Sequence, residues 1–175
     1  WDLCVVTVAF DAVPKPVSSL AGHRAAPSSP FYHARLTEVG RRLPLVRAAV
    51  LARDFDTLSS AVEREALSLH AVAMTSQSDA LPTANGILYL APETVRLMHA
   101  LQARRRDGLA VAFTLEAGPT VHLLCEATEL DRVLDVLEPV APDRRRTIVS
   151  RPGRGAWLAK ENDGAEAPSD SSCPL

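Results

Sequence analysis

The sequence contains no run of apolar residues approaching the ~20 that a membrane-spanning helix needs. Its first residues show no basic segment ahead of an apolar core, so they do not resemble a secretory signal peptide. Positive charge is not in excess either, because 19 Lys and Arg against 21 Asp and Glu give a formal net charge of −2. We therefore predict no membrane and no nucleic acid as partners, and we expect any anionic ligand to be held by a local pocket.

Cysteine is scarce, with three residues far apart at Cys4, Cys125 and Cys173. No pair has the spacing of a metal site, and the five histidines form no HxxxH or HExxH pattern, so we predict no metal ligands in this chain. Cys4 and Cys125 lie in apolar, strand-like runs and are predicted to be small core residues rather than bridges. This usage is typical of a reducing compartment, and the predicted location is cytoplasmic.

At 175 residues the chain can bury a core, and 47% hydrophobic with 23% charged residues is typical of a soluble globular protein. Strand-like and helix-like segments are mixed without the regular alternation of a parallel βαβ fold. We therefore predict an α+β fold, with helices packed on one face of an antiparallel sheet. The predicted domain covers residues 1–158, and residues 159–175 are predicted to be a disordered acidic tail.

The first half of the chain predicts one strand and three helices. The β-branched run "DLCVVTVAF" (residues 2–10) predicts a strand covered on both faces. Ser29 followed by Pro30 predicts the start of a helix, and Pro44 predicts the start of a second one. Apolar residues at three- and four-residue intervals predict a longer helix over residues 57–74.

The second half predicts two helices and a hairpin. Pro92 opens a helix whose end is marked by Gly108. Thr128 is predicted to cap a later helix, and "RTIVSRPGRGAWLA" is predicted to supply one or two short strands. Between them, "VAFTLEAGPTVHLLC" (residues 111–125) places two β-rich runs around a Glu-Ala-Gly-Pro corner. Glu116 at this corner is either a catalytic base at the mouth of a cleft or a polar cap on the hairpin.

Six ordered segments resemble the C-terminal half of mevalonate diphosphate decarboxylases, in the GHMP kinase superfamily, over nearly all of residues 1–158. They are "VSSLAGH", "SSPFYHARL", "RDFDTL", "LSLHA", "APETVRLMHAL" and "AFTLEAGPTVHLL". The resemblance implies the ferredoxin-like fold of a GHMP-kinase C-terminal domain. It also implies an ATP-dependent reaction, with ATP and Mg²⁺ as cofactors. In that reaction the 3-hydroxyl of a phosphorylated mevalonate is phosphorylated, and loss of phosphate and CO2 then gives an isopentenyl phosphate for isoprenoid and sterol biosynthesis.

The same resemblance assigns candidate site residues. Glu116 falls where the family carries an Asp that orients or deprotonates the 3-hydroxyl, and its extra methylene is a departure from the family. Ser18 and Ser19, with Gly22 nearby, match a serine pair beside the phosphate end of the substrate. Several bacterial relatives carry an arginine after this pair, where this sequence has Leu20. The loss of that arginine keeps the monophosphate, phosphomevalonate, open beside the diphosphate.

Other basic residues are weaker candidates. Arg24 could supply positive charge beside the serine pair, as could His23 or, less directly, Lys15. His70 is predicted to be a hydrogen-bonded packing residue. The two arginine runs, residues 104–106 and 144–146, are predicted to be solvated surface.

The chain shows no glycine- and serine-rich phosphate loop of the kind that the family carries in its N-terminal half. It also begins in a strand without an initiating Met. We therefore expect that this chain alone does not turn over and that its partner is the N-terminal half of the same enzyme. The resemblance also implies a possible homodimer. Two alternatives stay open: a kinase-only mevalonate relative, and a non-catalytic domain that acts through a partner.

Overall fold

Four strands form a single antiparallel sheet, in the order β2-β3-β1-β4, in the computed structural model. The structure describes residues 1–10, 15, 17–77, 86–141 and 146–155. In chain order its elements are β1 Leu3–Val8, α1 Ser19–Ala25, a 3₁₀ turn Ala26–Ser28, α2 Tyr32–Ala52, α3 Phe55–Thr75, α4 Pro92–Arg106, β2 Val111–Thr114, β3 Val121–Glu126, a 3₁₀ turn Ala127–Glu129, α5 Leu130–Leu137 and β4 Thr147–Ser150.

The core lies between one face of the sheet and the helices α4 and α5. Alternate residues of β1 and β3 point into it, and they meet apolar side chains such as Leu97 of α4 and Val133 of α5. Cys4 and Cys125 face each other across the two strands and are fully buried, which confirms them as core residues. The predicted α+β fold with an antiparallel sheet is confirmed.

The prediction that the first strand is covered on both faces is wrong. In β1 buried residues alternate with partly exposed ones, so Cys4 and Val6 are buried while Val5 between them is not fully covered. β-branched residues suit a half-buried pleated surface as well as a fully buried one, and composition alone does not separate the two.

Pro44 does not start a helix, because α2 continues through it without a break. A proline inside a helix removes one backbone hydrogen bond and is normally disruptive. Here α2 packs along α3, and its buried residues Arg42 and Ala49 lie on either side of the proline in sequence. Tertiary packing of the buried face therefore maintains the helix where its local sequence predicts a boundary.

The predicted helix start at Ser29 and Pro30 is also wrong, because α2 begins at Tyr32 without a side-chain cap. Local signals located α3 and α4 better. Helix α3 begins after Asp54, whose carboxylate accepts a hydrogen bond of 3.0 Å from the Thr57 amide. Helix α4 starts at Pro92, and Gly108 beyond its end has φ +79°, so both boundary predictions are confirmed. The predicted cap at Thr128 is wrong, because that residue lies inside a 3₁₀ turn and α5 has no side-chain cap.

A partly buried carboxylate, Glu63, joins α3 both to the end of α4 and to the strand that leads to the hairpin corner. Glu63 of α3 pairs with Arg105 and also accepts a hydrogen bond of 3.0 Å from the Phe113 amide of β2. The Arg105 Nε donates to the Val111 carbonyl at 2.8 Å. The prediction of a solvated run at residues 104–106 is therefore wrong for Arg105, because the middle arginine turns inward to this carboxylate.

Some predictions fall outside the described residues. They include the acidic tail at 159–175, most of the segment 76–86, the chain after residue 155 and two of the three arginines at 144–146. No helix in the ranges that the structure describes has the length and apolarity needed to cross a bilayer.

Candidate active site

A cleft of about 450 Å³ lies where α1, α2, α3 and the hairpin corner meet. Its wall includes Ser19, Gly22, Arg35, Tyr89 and Glu116. Three of the five residues predicted from the sequence as site residues are therefore brought together here, although the chain separates the first from the last by nearly a hundred positions.

Glu116 stands on a corner that several contacts hold in place. The corner turns at Gly118, whose φ of +63° is readily adopted by glycine, and a Cβ there would lie 3.2 Å from the Tyr89 carbonyl oxygen. Thr94, at the start of α4, donates a hydrogen bond of 3.0 Å to the Pro119 carbonyl. Glu116 itself is exposed, and its carboxylate makes no hydrogen bond or ion pair with any described residue.

The serine pair divides between two roles. Ser18 caps α1, where its hydroxyl oxygen accepts a hydrogen bond of 3.2 Å from the Ala21 amide. Ser19 is exposed and lines the cleft. Arg24 is exposed in the last turn of α1 and is not among the lining residues, whereas its neighbour His23 is. The structure thus leaves Ser18 and Arg24 outside the cleft wall.

Gly22 is the point of closest approach between α1 and the opposite wall. A Cβ at this position would lie 2.3 Å from the hydroxyl oxygen of Tyr89. That hydroxyl donates to the Ser18 carbonyl at 3.1 Å, which fixes the ring against α1. Lys15 lies nearby, with its Nζ 5.7 Å from the centre of the Tyr89 ring.

Replacing Gly22 with Ala is expected to push Tyr89 out of its place in the cleft wall. The added methyl gains helix propensity but overlaps a hydroxyl held by a hydrogen bond. We expect a loss of stability of about 1–3 kcal/mol, as is usual for overpacking, measured by urea denaturation. The double variant Gly22→Ala/Tyr89→Phe is the matched control. It removes the closest atom, and it should recover most of the loss; purely additive losses would contradict this account.

Tyr89 and Arg35 were not predicted as site residues. Arg35 lies in the quoted segment "SSPFYHARL", three residues after Tyr32, and this spacing puts both side chains on the face of α2 that lines the cleft. Tyr89 lies in an irregular segment before α4, where periodicity gives no signal.

The charge of Arg35 is matched by a carboxylate. Its guanidinium pairs with Glu65 and donates to the Ser68 hydroxyl at 2.5 Å. Burial raises the pKa of Glu65, but hydrogen bonds and charge from Arg35 and Arg42 outweigh it, so the net pKa lies below its ordinary value. Glu65 is therefore ionised at neutral pH, and because Arg42 shares this carboxylate, the Arg35–Glu65–Arg42 cluster keeps a net positive charge beside the cleft.

His70 of α3 is buried, but the predicted hydrogen bonds are not there. Neither ring nitrogen has a hydrogen-bond partner in the described part of the chain. Burial lowers the pKa of His70, and the backbone of Glu116 acts weakly in the opposite direction. The imidazole is therefore neutral at pH 7, behind the wall that its neighbours on α3 form.

This burial predicts that stability falls in mildly acidic solution. In the unfolded chain His70 titrates near its ordinary pKa of ~6.5, and in the folded chain it titrates lower. Between these values the unfolded state binds more protons, so the free energy of unfolding rises with pH. The stabilisation that comes from keeping His70 neutral should be fully present above about pH 6.5, and it should decline as the pH falls below that value. Urea denaturation between pH 7.5 and 5.5 measures this dependence, and the free energy of unfolding of His70→Leu should change less with pH than that of the wild type. The same pH dependence in both proteins would contradict this prediction.

The described residues do not fit a resident metal ion. They contain no group of three or more His, Cys, Asp or Glu side chains that could hold one, and Glu116 is the single carboxylate on the cleft wall. The acidic ligands that Mg²⁺ prefers are thus not assembled in this part of the chain.

Comparison with known proteins settles the family. The family model described as "Mevalonate 5-diphosphate decarboxylase C-terminal domain" matches residues 4–166. The chain belongs to this family. This confirms the resemblance found in the sequence, and it places the cleft in a C-terminal domain of the mevalonate diphosphate decarboxylases.

Two curated relatives are similar to this mevalonate diphosphate decarboxylase domain over part of their length. A phosphomevalonate decarboxylase from Haloferax volcanii is 26% identical over 122 residues, covering 69% of this chain and 36% of the relative. A diphosphomevalonate decarboxylase from Candida albicans is 23% identical over 133 residues, covering 76% of this chain and 35% of the relative. The chain thus spans little more than a third of these proteins.

Solved structures share the fold. The mevalonate diphosphate decarboxylase from Staphylococcus aureus superposes with a TM-score of 0.76 at 27% identity, covering 86% of this chain and 43% of that one. A structure of the protein named MDDEF, in complex with MVAPP, AMPPCP and magnesium, gives 0.73 at 24% identity, covering 85% and 43%.

Proposed function

We propose that this chain is the C-terminal part of an ATP-dependent decarboxylase that acts on a phosphorylated mevalonate and yields an isopentenyl phosphate, ADP, phosphate and CO2. Family membership supports the reaction class, and the printed names of the relatives are those of mevalonate-phosphate decarboxylases. A homodimer and a cytoplasmic location remain predictions from the sequence.

The observation that carries the proposal is the unpaired carboxylate of Glu116 in the same cleft as Ser19 and Gly22. A general base must come within about 2.6–3.2 Å of the proton that it takes. Glu116 has no competing partner among the described residues, so its oxygens are available to a substrate hydroxyl. In this proposal it orients the 3-hydroxyl and accepts its proton.

The opposite wall suits the phosphate end of the substrate. The Ser19 hydroxyl lines the cleft and can donate to a phosphate oxygen. The Tyr89 hydroxyl fills the space that a side chain at Gly22 would take, and Tyr89 also lines the cleft on this side. Glu116 and this wall thus face the two ends of a small hydroxylated phosphate ester.

We propose phosphomevalonate, the monophosphate, as the better substrate. Leu20, which is 61% exposed, stands where the resemblance places an arginine in several bacterial relatives, so no guanidinium from this position can meet a second phosphate. Arg35 is on the wall, where it shares the Glu65 carboxylate with Arg42. A site that lacks the arginine after the serine pair favours the ligand with less negative charge. Diphosphomevalonate is the alternative.

No described residue is assigned to ATP or Mg²⁺. MDDEF is named in complex with AMPPCP and magnesium, which supports these cofactors for the family. We propose that both are bound by the part of the longer relatives that this chain does not span, while this chain positions the substrate and its hydroxyl proton.

The glutamate at position 116 is also compatible with a second function, that of a kinase-only relative. Glutamate is one methylene longer than the aspartate expected here, and a misplacement of about 1 Å can lower a rate by ~10²-fold. A kinase-only relative, which phosphorylates a mevalonate without losing its carboxylate, is therefore the second candidate.

One assay separates the candidates. The chain is joined to or mixed with the N-terminal half, supplied with ATP, Mg²⁺ and phosphomevalonate or diphosphomevalonate, and ADP and CO2 are counted. Equal amounts of both products are expected, with faster turnover of the monophosphate. ADP without CO2 would indicate the kinase-only relative, and neither product would indicate a non-catalytic domain.

A further inference from the structure

His70 stands out because both of its ring nitrogens are buried without a hydrogen-bond partner. Its exposure is 1%, and no other buried side-chain nitrogen or oxygen in the described residues lacks a partner. Buried polar groups in folded proteins are nearly always hydrogen-bonded, because an orphaned group is destabilising. The cleft therefore keeps an unfavourable polar group beside it where an apolar residue would fit.

The position of His70 relates it to the hairpin corner. Helix α3 packs against β2, the strand that leads to Glu116. Its residues Leu69, Val72 and Ala73 line the cleft beside His70. Burial lowers the pKa of His70, and the backbone of Glu116 acts in the opposite direction, as an acceptor near the ring would.

The Glu63 carboxylate also connects α3 with β2. It accepts the Phe113 amide, three residues before the corner, and so holds β2 to α3 one to two turns ahead of His70. The corner itself has no such direct bond to α3 among the described residues. A donor from His70 to the Glu116 carbonyl would complete the attachment at the point where the carboxylate must be oriented.

We propose that His70 is a positioning residue, whose ring N–H donates to the backbone carbonyl of Glu116 when substrate draws the hairpin corner against α3. The inference rests on the proposed function of Glu116. Catalytic hydrogen bonds are often long or poorly aligned without ligand and tighten in the complex. This explains why the donor lacks a partner in the free chain. His70 does not touch the substrate, so it orients the base without contributing to binding.

Three variants of His70 in the reconstituted complete enzyme test this role. His70→Leu removes both orphaned nitrogens and the donor, while His70→Asn and His70→Gln each carry an amide N–H close to one of the two ring-nitrogen positions. For His70→Leu we expect an undiminished Tm, an unchanged KM and a kcat for CO2 release lower by about 10²-fold, as for a base displaced by ~1 Å. One of the amide variants, whose N–H matches the donating ring nitrogen, should restore at least a tenth of the wild-type kcat.

The outcomes that would overturn the proposal are distinct. A wild-type kcat in His70→Leu, with Glu116→Gln inactive, would overturn this inference and leave the proposed function in place. Normal CO2 release by Glu116→Gln would overturn both. Should His70→Leu fail to fold, the two amide variants decide, because equal kcat values in Asn and Gln would show that no directed donor is involved.

Discussion

Replacing Glu116 with Gln is expected to lower the rate of CO2 release in the complete enzyme by about 10²–10⁴-fold, the usual contribution of a general base. Glutamine keeps the size and one acceptor oxygen of glutamate, so the cleft wall and substrate affinity should change little. The carboxylate has no partner to lose among the described residues, and the fold should therefore be unaffected. The rate is measured at saturating substrate, and affinity by substrate protection or calorimetry.

Asp131→Asn is the matched control for this variant. Asp131 is an exposed carboxylate on α5, away from the cleft, and its neutralisation should leave CO2 release within twofold of the wild type. An active Glu116→Gln enzyme would remove Glu116 from the mechanism. Glu116→Asp refines the answer: a slower enzyme shows a cleft spaced for glutamate, and a faster one shows that the longer side chain weakens decarboxylation.

Replacing Glu63 with Gln is expected to produce the largest loss of stability, about 3 kcal/mol. The carboxylate is 14% exposed and its partner Arg105 is 29% exposed. The substitution leaves that guanidinium without its counter-charge in a largely desolvated place and weakens the bond to the Phe113 amide. For a chain of this length the loss corresponds to a fall in Tm of about 6–12 °C, measured by thermal melting.

Glu93→Gln provides the comparison for an exposed ion pair. Glu93 pairs with Arg96 on the surface of α4, where both side chains are at least 41% exposed. Such pairs contribute little, and we expect a change of under ~0.5 kcal/mol. If the two variants lost the same stability, the Glu63 carboxylate would not hold α3 to α4 and β2 in the way described.

Elements with strong local signals could be predicted from the sequence. Pro92 and Gly108 delimit α4 because one fixes φ at a helix start and the other tolerates positive φ after its end. The helix start predicted at Pro44 was wrong because the packing of α2 on α3 overrides the local preference of proline for a helix start. The solvated position predicted for Arg105 was wrong because this arginine pairs with Glu63, 42 positions away in the sequence, and only the fold shows this contact.

The site was predicted in part for the same reason. Glu116, Ser19 and Gly22 were predicted through motifs, and the structure brings them to one cleft. Arg24 directly follows the "VSSLAGH" segment but is not among the residues that line the cleft, and the order of residues in the sequence does not show which side of the helix faces the cleft. Tyr89 could not be predicted, since its role depends on a contact with Gly22 across the cleft.

The most direct test of the account is a structure of the complete protein with phosphomevalonate bound. We predict that a Glu116 carboxylate oxygen lies about 2.6–3.2 Å from the 3-hydroxyl oxygen, with the phosphate at the Ser19 and Gly22 side of the cleft. A ligand bound elsewhere, or a Glu116 side chain turned to solvent while the substrate occupies the cleft, would contradict it.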